Sequence, residues 1–252
     1  MNGLRDSLQE YLSLRRALGF KLRKEGRLLP VFLDFMEHES KTFITTELAI
    51  RWATAPNQVT QAYHASRLRM VRLFAKYQLA TDPRTEMPPQ GLLPFRYHRK
   101  QPYLYSETEI LHLLAAAKQL NSPTGLRAAT YSTLFGLMVV TGMRISEPIA
   151  LSLEDVDLRS GTLTIQHSKF GKSRLIPVHP STVEKLQEYE DFRERIFPRT
   201  TSTSFFLSEQ GTALTSCMVR WTFVKLLRQL NLRARPDKHG PRVHDIRHAF
   251  AV

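Results

Sequence analysis

Only one cysteine, Cys217, occurs in the 252 residues. A single thiol can close no intrachain disulfide and build no cysteine-based zinc site, so a reducing, cytoplasmic setting is the expectation. Long apolar runs are missing as well. No stretch reaches the roughly 18 residues that a membrane-spanning helix needs. The opening MNGLRDSLQEYLSLRR lacks the apolar core of a secretory signal. Negative charge is scarce: 23 Asp and Glu face 36 Lys and Arg, a formal net charge of +13. What is present fits a folded globular protein rather than a disordered or collagen-like one, with 42% hydrophobic residues and a mean hydropathy of −0.29. The length suits one large domain or two small ones.

Such a basic balance points to an anionic partner, with nucleic acid ahead of membrane surfaces or acidic proteins. The excess is spread along the chain. Residues 1–100 hold 17 basic and 9 acidic residues, and residues 101–252 hold 19 and 14. No basic tail supplies it, so two basic modules are expected.

Residues 1–80 read as a helical bundle. Leu4, Leu8, Tyr11, Leu12 and Leu18 follow helical spacing and Gly19 offers a stop. Residues 27–38 carry a second stripe, and Thr46 opens a short helix. A longer helix from Gln58 to Leu79 sets Arg67, Arg69, Arg72 and Lys76 on its polar side. Residues 81–105 contain five of the 14 prolines and read as an extended linker. Its basic group of Arg96, His98, Arg99 and Lys100 can track a phosphate backbone or simply be solvated.

Residues 106–252 read as a second, mostly helical domain. Ser106 and Glu109 have capping-box spacing. An apolar helix from about Leu126 to Val140 is the expected core helix. Thr162–Ile165 and Arg174–Val178 read as two strands joined by Ser168-Lys169-Phe170-Gly171-Lys172.

Three local patterns carry chemistry. In TGMRISE, glycine ends the core helix and Arg144 begins the next, where a guanidinium and helix amides both favour an anion. Glu147, three residues on, can hold Arg144, although a plain surface ion pair reads the same way. Between the strands, Lys169, Lys172 and Arg174 make a cationic turn that can enter a groove or protonate a leaving oxygen, or be a bare basic hairpin. In HDIRH, His244, Arg247 and His248 share a helical face, a proton-exchanging group beside a fixed positive charge, which suits phosphoryl transfer. A metal held by His244 and His248 is disfavoured, because Asp245 follows His244 where the metalloprotease pattern has glutamate and the cation Arg247 lies between the ligands.

The ordered set TGMRISE, SKFGKSRLIPV and HDIRH resembles the tyrosine recombinase family, also called phage-type integrases. The resemblance covers about residues 106–252; residues 1–80 resemble the family's SAM-like core-binding domain in architecture only. It implies a mainly α fold with a small antiparallel sheet: a DNA core-binding bundle (1–80), a Pro-rich basic linker (81–105) and a catalytic domain (106–252). It also implies site-specific recombination or integration of double-stranded DNA through a 3′-phosphotyrosine, with no metal or nucleotide cofactor. Arg144 and Arg247 would neutralise the phosphate oxygens, Lys169 protonate the leaving hydroxyl, and His244 move a proton. Glu147 and His248 would support them. Arg67, Arg69, Arg72, Lys76, Arg99, Lys100, Lys172 and Arg174 would contact DNA, with Lys172 and Arg174 alternatively holding the hairpin. The family acts as a tetramer on DNA, without a membrane, in the cytoplasm at the nucleoid.

One family feature is not met. Its tyrosine nucleophile follows the HxxR box, whereas all eight tyrosines here precede it and the sequence ends five residues after Arg247. The catalytic domain is therefore expected to be C-terminally incomplete, and the chain to bind DNA without cleaving it alone. A non-catalytic competitor or regulator derived from a recombinase is the alternative.

Overall fold

The computed structural model describes residues 2–95, 101–166, 173–233 and 240–250. The chain divides into two compact units, residues 1–99 and 100–252.

The first unit holds four helices: α1 (Asn2–Ala17), α2 (Arg23–His38), α3 (Thr46–Thr54) and α4 (Gln61–Gln78). Gly19, at φ 87°, makes the turn after α1 that the sequence leads one to expect. Thr45 and Thr60 cap α3 and α4, each hydroxyl accepting from an amide three residues on at 3.2 Å. Leu8, Leu12, Phe32, Met36, Trp52, Val71 and Phe74 bury one face of each helix in a common core.

The Pro-rich stretch is not a free connector over its first half. Thr85 is buried and the Glu86 amide donates to the Ile44 carbonyl at 2.8 Å. The Glu86 carboxylate accepts from the Thr46 amide at 2.8 Å, and Arg72 donates to the Pro88 carbonyl at 3.0 Å. Proline removes amide donors but leaves carbonyls that a neighbouring side chain can use.

The second unit contains α5 (Glu107–Lys118), α6 (Leu126–Thr141) and α7 (Ser146–Ala150), then β1 (Val156–Asp157), β2 (Thr162–Ile165) and β3 (Arg174–Pro177). It continues with α8 (Pro180–Ile196), α9 (Ser216–Gln229) and α10 (Ile246–Phe250). Ser106 and Glu109 form the expected capping box on α5. Helix α6 runs through the core, with Leu126, Leu134, Phe135, Leu137 and Met138 all buried. The sheet is antiparallel in the order β1-β2-β3, and β1 is a strand of two residues that periodicity could not reveal. Register pairs Leu163 with Ile176 and Ile165 with Arg174. Alternation along β2 sends Leu163 and Ile165 inward, so the sheet packs on the core through one face. The mainly helical fold with a small antiparallel sheet is the one the sequence leads one to expect.

Candidate phosphate-binding site

The site is built where α6 ends. Gly142 adopts the left-handed conformation, φ 60°, and its amide closes the helix on the Met138 carbonyl at 3.0 Å. A Cβ here would meet the Phe250 ring, so a side chain is opposed by contact as well as by backbone strain. Met143 is fully buried and anchors the turn. The Gly142 carbonyl accepts a hydrogen bond from Arg247 Nη1 at 2.7 Å. That bond joins two motifs separated by 105 positions.

Sequence spacing places Arg144 at the start of a helix. The helix is only five residues long, and Arg144 lies in the turn before it. What holds Arg144 is Glu147. Its carboxylate accepts from the Arg144 amide at 2.8 Å and from Arg144 Nη1 at 3.1 Å. The same carboxylate accepts from Arg174 Nη1 at 3.0 Å and Nη2 at 2.7 Å, a two-pronged pair. The Glu147 side chain is only 4% exposed. Burial alone would raise its pKa, but the bonds from Arg174 and from the Arg144 amide and guanidinium outweigh this and hold it at about 2. Arg174, assigned from sequence to DNA contact or to the hairpin, thus has both Nη groups engaged on Glu147.

Arg247 and Arg174 line a cavity of about 330 Å³, together with Thr141, Gly142, Ile176 and Phe250. Of these two guanidiniums, Arg174 has both Nη groups on Glu147 and Arg247 has Nη1 on the Gly142 carbonyl, while Arg144 is not among the described residues that line the cavity.

His244 begins beside this cluster in a single 3-10 turn, Val243–Asp245, that leads into α10. Its ring meets that of His248 edge-on at 5.4 Å. Partial burial, then His248, then the cations Arg242 and Arg247 lower the His244 pKa, while Asp245 opposes them. The lowered pKa favours the neutral imidazole, the form able to accept a proton. Asp245 is buried and fixes this turn, accepting from the Arg242 amide at 2.8 Å and pairing with its guanidinium at 3.1 Å. Among the described residues no group of three His, Cys, Asp or Glu can hold a metal ion.

The basic face of α4 needs one correction. Arg67 is buried, stacks on the Trp52 ring at 3.6 Å and donates to the Trp52 carbonyl at 2.8 Å. It caps a C-terminal carbonyl of α3 and is no surface contact for DNA. Arg69 and Lys76 are exposed and Arg72 is half-buried, and these three remain on the outer face. Lys169 and Lys172 of the hairpin, and Arg99 and Lys100 of the linker, lie outside the described residues.

Comparisons with known proteins define the class. The family model described as "Phage integrase family" matches residues 104–252. A protein of Sinorhizobium fredii (strain NBRC 101917 / NGR234) named as an integrase/recombinase, y4rB, is 46% identical over 256 residues, covering 100% of this chain and 82% of that protein. Among solved structures, the XerH site-specific recombinase bound to palindromic difH substrate superposes with a TM-score of 0.65 at 21% identity, covering 87% of this chain and 65% of that one. A lambda integrase tetramer bound to a Holliday junction gives 0.64 at 19% identity, covering 98% and 71%. The fold is shared with these recombinase and integrase structures. The chain belongs to the phage integrase family, the tyrosine recombinases.

Proposed function

We propose that this chain takes part in site-specific recombination of double-stranded DNA, with the Gly142 turn as the cradle for one scissile phosphodiester. The observation that carries the reading is the single hydrogen bond from Arg247 to Gly142, two residues before Arg144. Through it, two guanidiniums from distant parts of the sequence belong to one unit of structure. In this reading Arg144 and Arg247 neutralise the non-bridging oxygens as charge develops on them. His244, neutral and partly exposed, exchanges a proton with the reacting oxygens, and His248 packs against it. Lys169 delivers a proton to the departing 5′-oxygen. Arg69, Arg72 and Lys76 in the first unit, with Arg99, Lys100 and Lys172, follow the backbone of the duplex. Several copies assemble on DNA, as in the lambda integrase complex. No cofactor enters this scheme.

The attacking group is a tyrosine that leaves a 3′-phosphotyrosine link. Four tyrosines fall in the second unit, and none lines the cavity beside Arg247. Burial pushes the Tyr105 hydroxyl up, and that hydroxyl donates to the Arg242 carbonyl. In this reading the nucleophile comes from outside these 252 residues. The same observation favours a second reading, a DNA-binding protein that occupies recombination sites without cutting them.

One experiment separates these. Duplexes are selected from a random pool by binding to the chain, then remade with a nick and incubated with it, with and without a family segment bearing the tyrosine. Adduct formation only when that segment is added supports the first reading. Binding with no adduct in either case supports the second. An adduct formed by the chain alone refutes the assignment of the nucleophile, and absence of selected binding refutes both.

A further inference from the structure

Glu147 sits at a junction with two cations and one anion. Among the described residues its carboxylate makes four hydrogen bonds, which fills its acceptor sites. Arg174 faces it squarely, one Nη on each oxygen. Arg144 reaches it with its backbone amide and a single Nη, at 3.1 Å. Among the described residues, the other side-chain donors of Arg144 make no hydrogen bond. The Arg144 guanidinium is thus held at one corner and left open at the rest.

Consider the same place without Arg174. A carboxylate with a side chain 4% exposed would be left with one guanidinium. An uncompensated buried charge is costly, and the nearest remedy is for Arg144 to turn its whole fork onto Glu147. Its free donors would then point at protein rather than at ligand.

We infer that Arg174 is a positioning residue: it saturates Glu147, and so leaves Arg144 free to bind phosphate. The inference deepens the proposed function and rests on it for the role of Arg144. It moves Arg174 from the DNA-contacting set to the machinery that orients the site. It also explains why a strand residue of β3 is tied to the short helix α7. The pair bridges 27 positions and makes the first residue of that strand part of the phosphate cradle. Among the described residues, the charged groups facing Glu147 are Arg144 from the turn and Arg174 from β3.

The test uses chemical modification of arginine. Phenylglyoxal is applied to the full chain without DNA, and the rate at Arg144 is read by peptide mass spectrometry. In R174Q the Arg144 rate should fall at least fivefold. In the double variant E147Q/R174Q it should return to the wild-type rate or above, because no carboxylate remains to capture it. Arg69, in the other unit, should react unchanged throughout and reports on folding. An unchanged Arg144 rate in R174Q overturns the inference, and so does a low rate that persists in the double variant. If R174Q fails to fold, R174K is read instead. It keeps the charge and loses the fork, and a fall of at least twofold supports the inference while no fall overturns it. A second arm adds a 30-base-pair duplex to the wild-type chain. Protection of Arg144 and Arg247 supports the phosphate reading, and lack of protection overturns that reading while the first arm still decides the coupling to Arg174.

Discussion

Arg67 in the first unit and Arg174 in the second both sit on regular elements and both contribute to the same basic surplus, but their surroundings give them opposite roles. Arg67 is buried against an aromatic ring and a carbonyl, and among the described residues none of its hydrogen bonds goes to a carboxylate. Arg174 is half-exposed and paired through two hydrogen bonds to a buried carboxylate. The first cation closes the end of a helix, which is a structural task. The second adjusts the charge around a neighbour that can hold a ligand. An arginine count measures attraction to an anion only after such residues have been sorted by partner.

The contrast can be broken most sharply at Arg144 and Arg247. Replacing either with alanine should lower adduct formation by about 10²–10³-fold, the scale for losing a charge-stabilising donor. The rate is measured on the nicked duplex with the tyrosine segment supplied. Thermal unfolding of the same variants should reflect the loss of one hydrogen bond each, about 1 kcal/mol, and a larger loss of stability with a small loss of rate would put these arginines in the class of Arg67.

Next come changes at the two anchors. Arg67→Ala should cost the first unit about 2–3 kcal/mol, from the lost stacking and a helix carbonyl left without its donor. Duplex affinity at fixed salt should hold, so a fall in affinity without destabilisation would return Arg67 to the surface. Gly142→Ala should cost about 2 kcal/mol, since a left-handed L-residue is strained and its Cβ meets Phe250. Adding Phe250→Ala should recover part of this in chemical denaturation. No recovery would show that contact plays no part.

Acid should separate the units. Glu147, and Glu209 of the second unit, whose carboxylate accepts from the Ser122 and Thr124 hydroxyls and the Thr124 and Arg127 amides, both have pKa values of about 2 in the folded protein, against an ordinary 4.5. A lowered folded pKa gives stability that is present above about 4.5 and is lost as pH falls towards 2. Glu147 contributes about 2–3 kcal/mol by that linkage, and Glu209, nearer to solvent, contributes less after screening. The lowered carboxylates of the first unit, Glu37 and Asp82, are paired near its surface, where screening reduces their effect. Between pH 4.5 and 2 helical circular dichroism should therefore fall before the emission of Trp52, which is buried in the first unit. Coincident transitions would contradict this.

The smallest effect belongs to the exposed face of α4. Replacing Arg69 and Lys76 together should leave stability within about 0.5 kcal/mol. It should reduce the slope of log affinity against log salt by about 2.

Much of this molecule is legible residue by residue. The stripes of α1 to α4, the stop at Gly19, the Ser106–Glu109 box and the two main strands all rest on contacts within a turn or across a pleat. So does the pairing of Arg144 with Glu147, at a spacing of three. Less was visible at β1, where two residues carry no period, and in residues 81–95, whose prolines read as a connector but whose carbonyls and Glu86 fasten to the helices. Arg67 shows the limit of a polar stripe. A helical wheel assigns the face, but whether that face meets water or an indole depends on another helix.

By itself the sequence determined the local elements and the order of the three motifs. Each depends on neighbours a few residues apart, whose relative positions the backbone already sets. The partner of each arginine was decided only in the folded chain. Arg174 finds Glu147 over 27 positions and Arg247 finds Gly142 over 105. Those separations have no fixed geometry until the core around α6 has closed, so the orientation of the charges in the cradle belongs to the tertiary structure.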